Sequence, residues 1–252
     1  MKQMYILGGI AVALIALLFV IARLPQWLAG DVPTEPITQT TQPTTMTYDT
    51  DAGETTRVVM TTNRGDVTID LFTELMPITA GNFLTLAEEG FYDGVKFHRV
   101  IDGFMIQGGD PLTKDDNQID AWGTGGPGYA IEDEHIEHPA LTNIRGTLSM
   151  ANSGPNSGGS QFFINLVDNT NLDFDKQPLS SQHPVFGRVV EGIDVVEAIG
   201  ATETDQRDRP LEPVVIERIE IIGMGEQAEE LEAEDVNEDD ADGEEIRLDI
   251  AE

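Results

Sequence analysis

Three short blocks of the sequence hold the residues that could form a functional site: Val95–Pro111, Ser149–Asn152 and Gly159–Ile164. The first block places Arg99 close to Phe104, Met105 and Gln107. Arginine stays charged and carries a rigid fork of donors, while aromatic and thioether side chains offer an apolar surface. An apolar floor with a few convergent polar groups is typical of a binding site. The chain has no cysteine, which excludes a thiolate nucleophile and a cysteine metal site.

The order and content of these blocks resemble the cyclophilin family of peptidyl-prolyl cis–trans isomerases, over a stretch from about Arg57 to Ile222. The resemblance implies a mainly β fold, namely a closed eight-stranded antiparallel β-barrel capped by two α-helices. It also implies an enzyme that accelerates rotation about X-Pro bonds and assists protein folding. This rotation is slow because the amide has partial double-bond character. It breaks no bond, so it requires no nucleophile, metal or other cofactor.

The resemblance also implies a role for individual residues. A catalyst of this rotation must prefer the twisted amide over both planar states, and a fixed cation that donates to the prolyl nitrogen has that effect. Arg99 is the implied cation. The implied catalytic residues are Arg99, Phe104 and Gln107. The implied substrate-binding residues are Met105, Ala151, Asn152, Gln161, Phe163, Leu172 and His183.

Other interpretations of these residues stay open. Phe104, Met105 and Phe163 could belong to the barrel core, and His183 could be a rim residue without a role. His98 alternates to the opposite face of its strand from Arg99, so we expect a structural role for it. One alternative function is a catalytically weak proline-peptide-binding module or chaperone at the membrane surface. Another is an adhesin or scaffold that acts through its tether and its acidic tail.

The sequence departs from the family pattern at two places. Asn171 stands where many cyclophilins have an aromatic residue, often Trp, before the pocket leucine, and the stretch 173–182 is longer than in compact members. Cyclosporin-type macrocycles occupy the proline groove of this family. An amide offers less apolar area than an aromatic ring and must be desolvated. We therefore predict weak cyclosporin binding.

Two other patterns could suggest different chemistry. His135 and His138 lie among acidic residues and could supply metal ligands, but we predict no metal site. The glycine clusters Gly123–Gly128 and Gly154–Gly159 lack the Lys-Ser/Thr pair of a phosphate loop. We predict that they form loops bordering the groove.

The apolar pattern predicts many short strands and two separated helices, which favours a barrel over a βαβ sheet. One helix is predicted from Pro77 to Ala87, with an apolar stripe that includes Ile78 and Phe83, and with Gly90 as its C-cap. The second is predicted over Glu191–Gly200. The predicted strands are Val58–Thr62, Val67–Phe72, Val95–Val100, Phe104–Gln107, Thr147–Met150, Phe162–Asn165, Val185–Val190 and Val214–Ile222.

The segments outside this domain differ from it in composition. After a short flank at 1–4, residues 5–24 are almost wholly apolar, which predicts a transmembrane anchor or a cleaved signal peptide. Residues 25–56 predict a disordered Thr/Pro-rich linker, and 226–252 an acidic disordered tail. With the isomerase domain at 57–225, we expect a single-pass membrane protein whose domain lies on the extracytoplasmic side. The net charge of −32 argues against binding to nucleic acid. The expected partners are proline-containing peptides and unfolded protein clients.

Overall fold

The structure, a computed structural model, describes residues 52–176 and 182–223. The predicted transmembrane anchor at 5–24 and the acidic tail at 226–252 lie outside the described residues. Residues 25–51, which are most of the predicted linker, also lie outside the described residues. The same holds for residues 177–181 within the long stretch 173–182. No helix within the described ranges is long and apolar enough to cross a membrane.

Eight strands form one antiparallel sheet, with two α-helices packed on it. The strands are β1 (Thr56–Thr62), β2 (Gly65–Leu71), β3 (Arg99–Ile101), β4 (Met105–Gly108), β5 (Thr147–Met150), β6 (Phe162–Asn165), β7 (Val185–Glu191) and β8 (Ile216–Ile222). The helices are α1 (Pro77–Glu88) and α2 (Ile193–Gly200). Their order in the sheet is β3-β4-β6-β5-β7-β2-β1-β8, so the sequence-distant β4 and β6 are neighbours. The predicted mainly β fold with two helices is confirmed.

The outer strands of the sheet, β3 and β8, do not pair as a ladder. The residues that precede β3 instead reach the start of β8 through an isolated bridge between Lys96 and Val215. Backbone hydrogen bonds of 3.0 Å from Phe97 N to Val214 O and 2.8 Å from Ile216 N to Val95 O accompany it. The described sheet is therefore a curled one whose edges meet over a few residues, in place of the closed eight-stranded barrel that the resemblance implies.

The core lies inside the curled sheet, under the two helices. Its largest members are aromatic rings that contact one another edge to face or stacked. Phe162 lies 5.5 Å from Phe83 and 5.8 Å from Tyr92 between ring centroids, and Phe83 stacks on Tyr92 at 4.8 Å. All three side chains are fully buried. Such edge-to-face pairs stabilise a core beyond their buried area, and this cluster joins α1 to β6.

Helix α1 begins at Pro77, as predicted, and Gly90 takes the left-handed conformation (φ +66°) just after the helix ends. Its buried stripe centres on Phe83 and includes Ala80 and Ala87. The predicted membership of Ile78 in this stripe is wrong, because Ile78 is 45% exposed. At 3.6 residues per turn it lies about 140° around the helix from Phe83.

The folded unit starts before the predicted domain boundary at Arg57. Ala52 is buried against the core, and Thr56 already belongs to β1. The backbone of Glu54 accepts a hydrogen bond from Glu74 N at 3.3 Å. The last residues of the predicted linker are thus packed on the domain.

Candidate active site

Arg99, Gln107 and Phe163 lie in one row across three neighbouring strands. Arg99 of β3 pairs with Gln107 of β4, which pairs with Phe163 of β6. Directly paired residues of antiparallel strands present their side chains on the same face of the sheet. The next row, Val100, Ile106 and Ile164, faces the other way and is buried in the main core. The strand alternation therefore places the site on the outer face of the sheet.

An apolar cluster separate from the main core forms the floor of this site. Met105, Phe163 and Leu172 are buried against one another, and the partly buried Ile101, Phe104 and Ala151 pack on them. The main core does not include these residues. Phe104, Met105 and Phe163 therefore belong to a small cluster of their own outside the main core, and of the three Phe104 is the one that is only partly buried.

A pocket of about 230 Å³ opens above this floor. Nine of the ten predicted site residues line it: Arg99, Phe104, Met105, Gln107, Ala151, Asn152, Phe163, Leu172 and His183. The tenth, Gln161, lines an adjacent cavity of about 730 Å³, which shares Gln107, Ala151 and Asn152 with the pocket. The predicted residues thus converge, although they come from five separate stretches of the chain.

A relay of side-chain amides orients the cation. Gln161 donates from Nε2 to the carbonyl oxygens of Gly123 (3.1 Å) and Gly125 (2.8 Å), so its Oε1 faces Gln107. Gln107 donates to that oxygen at 3.0 Å, which turns its own Oε1 toward Arg99 Nη1 at 3.4 Å. The amide orientations follow from this donor–acceptor sequence. Both glutamines therefore present an acceptor to the next donor along the relay.

A buried carboxylate holds the glycine loop that starts the relay. Asp110 is fully buried and accepts hydrogen bonds from the backbone nitrogens of Gly123, Gly125 and Leu112. A Cβ at Gly125 would lie 2.1 Å from the Asp110 carboxylate, which excludes any larger residue without a shift of the loop. The predicted placement of Gly123–Gly128 beside the groove agrees with the lining of the larger cavity. The sequence analysis missed Asp110, whose position just before a proline at the end of the first block was an available signal.

A buried asparagine supports the opposite wall of the pocket. The Nδ2 group of Asn143 donates to Asp173 Oδ1 at 2.9 Å and to the carbonyl oxygen of His183 at 3.1 Å. Its Oδ1 accepts from Ser149 Oγ at 2.7 Å and from Asn165 Nδ2 at 3.2 Å. Asp173 follows the pocket residue Leu172, so one amide side chain ties both ends of the stretch 173–182 to the sheet. Sequence reasoning missed Asn143, since its partners lie up to 40 residues away.

His183 closes one side of the pocket edge-on to Phe163, with ring centroids 5.4 Å apart. Its Nδ1 lies 3.0 Å from the carbonyl oxygen of Met150. A carbonyl can only accept, so Nδ1 carries the proton in the neutral ring. Burial lowers the pKa of His183 below 6.5, and the Met150 carbonyl partly opposes this. Burial likewise lowers the pKa of His98, behind Arg99, to about 4.

These shifts predict a flat pH profile near neutrality. A histidine whose pKa is lowered in the folded state keeps its neutral form at pH values where an ordinary histidine is already charged. We expect kcat/KM for X-Pro exchange to change little as the pH falls from 8 through the ordinary histidine pKa, and to decline only at lower pH. NMR exchange measurements, which need no coupling protease, give this profile. A decline centred at the ordinary histidine pKa would contradict a neutral, buried His183.

The acidic segment around His135 serves the fold. Glu134 accepts hydrogen bonds from the backbone nitrogens of Ile78 (3.0 Å) and Thr79 (2.6 Å), which caps the N-terminus of α1. His135 stacks on Phe174 at 5.4 Å, and His138 Nδ1 accepts from Ala140 N at 3.2 Å. In the part of the chain that the structure describes, no three His, Cys, Asp or Glu side chains are grouped to hold a metal ion.

Comparison with known proteins identifies the family of the chain. Residues 57–221 match the family described as "Cyclophilin type peptidyl-prolyl cis-trans isomerase/CLD". The peptidyl-prolyl cis-trans isomerase-like 1 protein of Aspergillus fumigatus is 42% identical over 176 residues, which span 68% of this chain and 99% of that protein. A putative peptidyl-prolyl cis-trans isomerase of Staphylococcus aureus is 42% identical over 189 residues, covering 66% of this chain and 91% of its own length.

Solved structures show the same relationship. A cyclophilin-type peptidyl-prolyl cis-trans isomerase of Cryptosporidium parvum superposes with a TM-score of 0.58 at 32% identity, covering 68% of this chain and 99% of that one. A second crystal structure of that protein, in the presence of the dipeptide Ala-Pro, gives a TM-score of 0.56. The chain therefore belongs to the cyclophilin-type peptidyl-prolyl cis–trans isomerases. The predicted family and enzyme class are confirmed.

Proposed function

We propose that Arg99 catalyses X-Pro isomerisation by stabilising the twisted prolyl amide. As the amide twists, the prolyl nitrogen regains a lone pair, and a donor fixed beside it lowers the barrier of about 18–20 kcal/mol. Arg99 suits this role because its guanidinium stays charged and is held from one side by Gln107. The alignment of Arg99 and Gln107 with Phe163, a member of the apolar floor, is the observation that carries the proposal.

The floor cluster is the proposed site for the proline ring. Met105, Phe163 and Leu172 offer apolar contact within a pocket of about 230 Å³, a size suited to one small side chain. Asn152 and the backbone beside Ala151 would hold the peptide, and Gln161 would line the site next to them. Proline-containing peptides are ligands of this family, and a relative was crystallised in the presence of Ala-Pro.

The direct test measures exchange of an Ala-Pro-containing peptide by NMR, with the full-length chain at catalytic concentration. We expect a clear acceleration of cis–trans exchange, and the same rate after treatment with EDTA, because rotation about the amide needs no metal. The alternative is a catalytically weak binding module or chaperone that uses the same pocket. Saturable binding of the peptide without any acceleration would favour that alternative and overturn the proposed catalytic role.

The proposed setting of this activity is the outer face of a membrane, where the enzyme would assist the folding of extracytoplasmic proteins. Tyr5–Ala22 holds 18 uncharged, mostly apolar residues, which at ~1.5 Å per residue approach the ~30 Å hydrocarbon core. Protease added to intact cells should remove the domain and leave a membrane-bound N-terminal fragment. A mature chain that begins near Asp31 would instead identify the segment as a cleaved signal peptide.

Cyclosporin binding should be limited by Asn171. This residue is exposed in a short 3₁₀ turn directly before the pocket residue Leu172. A lost aromatic contact commonly costs an interface 1 kcal/mol or more, so we expect Asn171→Trp to tighten cyclosporin binding by roughly tenfold. Calorimetric titration of both chains measures this, with Asn171→Ala as the control for loss of the amide alone. Equal affinities of the natural chain and Asn171→Trp would show that this position does not control the groove.

A further inference from the structure

A tight turn at 205–209 packs against the outer edge of β3, beside Arg99. Asp208 N donates to Asp205 O at 3.0 Å, which closes the turn. Val100 N donates to Asp208 O at 2.8 Å, which attaches the turn to the strand that carries Arg99. The turn therefore lies along the free edge of β3. More than a hundred residues of sequence separate it from that strand.

One ion pair makes the turn rigid. The Asp205 carboxylate accepts hydrogen bonds from Arg207 N (2.8 Å), Arg209 N (3.1 Å) and Arg209 Nε (2.8 Å). The hydrogen bonds from Arg209 lower the pKa of Asp205 to about 2. The Asp205 carboxylate thus stays ionised near neutral pH, and the hydrogen bonds that shape the turn are kept.

Asp208 has two unusual properties. Its backbone has a φ of 62°, in the left-handed region that Asp tolerates better than most residues other than Gly. Its side chain directs Oδ2 to within 3.8 Å of Arg99 Nε. Gln107 Oε1 lies 3.4 Å from Arg99 Nη1. The guanidinium thus has one acceptor beside Nε and another beside Nη1.

We propose that Asp208 is a positioning residue for Arg99, and that the Asp205–Arg209 pair holds Asp208 in place. The hydrogen bond to Gln107 at Nη1 and the carboxylate charge 3.8 Å from Nε restrain the planar guanidinium from two sides, whereas Gln107 alone restrains it from one. Arg99 and Asp208 are both more than 40% exposed in their side chains, so their pairing adds little to stability. The effect of the Arg99–Asp208 pair is on the orientation of the guanidinium. This inference rests on the role of Arg99 proposed above.

The test compares Asp208→Asn and Asp208→Gly with Asp120→Asn as a matched control, all in the full-length chain. Asp120 is an exposed acid that pairs with Arg207 at 3.1 Å, so its variant removes the same charge nearby and leaves both Asp208 and Gln107 beside Arg99. Asn tolerates the left-handed backbone, and Gly relieves it. We expect both Asp208 variants to lower kcat for peptide exchange by roughly three- to tenfold, because misplacing a catalytic group is costly. KM should change by less than about twofold, and melting temperature should not fall.

A double-mutant cycle separates this proposal from that for Arg99. In an Arg99→Ala background, Asp208→Asn should have no further effect on kcat. A further fall there, with Arg99→Ala itself impaired, would overturn the role of Asp208 and leave that of Arg99 standing. Full activity of Arg99→Ala would instead remove the proposed function itself. An unchanged or raised kcat in Asp208→Asn, or a fall matched by Asp120→Asn, would likewise overturn the proposal for Asp208.

The salt dependence of kcat provides an independent test of the proposal for Asp208. The contact between Asp208 and Arg99 is half-exposed, so added salt should weaken it. We expect the ratio of kcat between the natural chain and Asp208→Asn to approach one as the salt concentration rises toward 1 M. The ratio for the Asp120→Asn control should stay near one throughout. A ratio for Asp208→Asn that is unaffected by salt would contradict an electrostatic contact with Arg99.

Discussion

Arg99→Ala is expected to lower kcat/KM for X-Pro exchange by at least about a hundredfold while the domain stays folded. Removal of one preorganised donor to developing charge costs about 2.7–4 kcal/mol of transition-state stabilisation in comparable sites. Stability should change little, because the Arg99 side chain is 43% exposed and its ion pair lies at the surface. NMR exchange gives the rate, and thermal unfolding reports the fold.

A control for this variant is Arg218→Ala on β8, where another exposed arginine pairs with Glu220 at 3.1 Å. It removes the same side chain from a different strand, so it should retain the activity of the natural chain. Arg99→Lys keeps the charge but loses the planar fork, and we expect only a partial recovery of the rate. A fully active Arg99→Ala would falsify the proposed mechanism.

Asn143→Ala is expected to destabilise the domain by about 3 kcal/mol and to weaken peptide binding. The truncation removes the acceptor of Ser149 Oγ and the donor to the carbonyl oxygen of His183, at about 1–3 kcal/mol for each group left unsatisfied. It also releases the wall that carries Leu172 and His183, which should raise KM. Urea unfolding and peptide titration measure the two effects.

The matched control for that variant is Asn117→Ala, an exposed asparagine whose contacts are with the neighbouring Asp115. Surface substitutions of this kind change stability by no more than about 0.5 kcal/mol. A loss in Asn143→Ala no greater than this would contradict the structural role of the network. Loss of stability with an unchanged KM would show that the wall keeps its place without Asn143.

Local pattern sufficed to predict most of the fold. β5 and β6 have the predicted bounds, since β5 (Thr147–Met150) alternates polar and apolar residues and β6 begins with the apolar run Phe162–Ile164. β3 is shorter than predicted, because Val95–Phe97 leave the sheet to bond with the start of β8. Ile78 was misassigned because an apolar residue in the first turn of a helix can lie on either side of the buried stripe. Both errors depend on which residues come together in the folded chain, and a local sequence pattern carries no information on that.

The residues of the candidate site also divide into those that the sequence predicted and those that it did not. Eight of the ten residues that the resemblance supplied lie within the three sequence blocks, and the structure brings nine of the ten to one pocket. The residues that hold them in place were not found, because their contacts span large sequence distances. Asp208 meets the strand of Arg99 only through the curl of the sheet, and Asn143 meets His183 across 40 residues. Turn residues and asparagines are common at the surface, so their types alone indicate nothing.

The interleaving of pocket and core along the same strands limits how this chain can change in length. Within β4, Met105 and Gln107 face the pocket while Ile106 faces the core, and β6 alternates in the same way. A one-residue insertion or deletion in such a strand would exchange its two faces and so remove the pocket and the core together. Length changes are instead tolerable in the connections, of which the stretch 173–182 is one. Related chains should therefore align through β3 to β6 without gaps inside the strands, whatever the lengths of the loops between them.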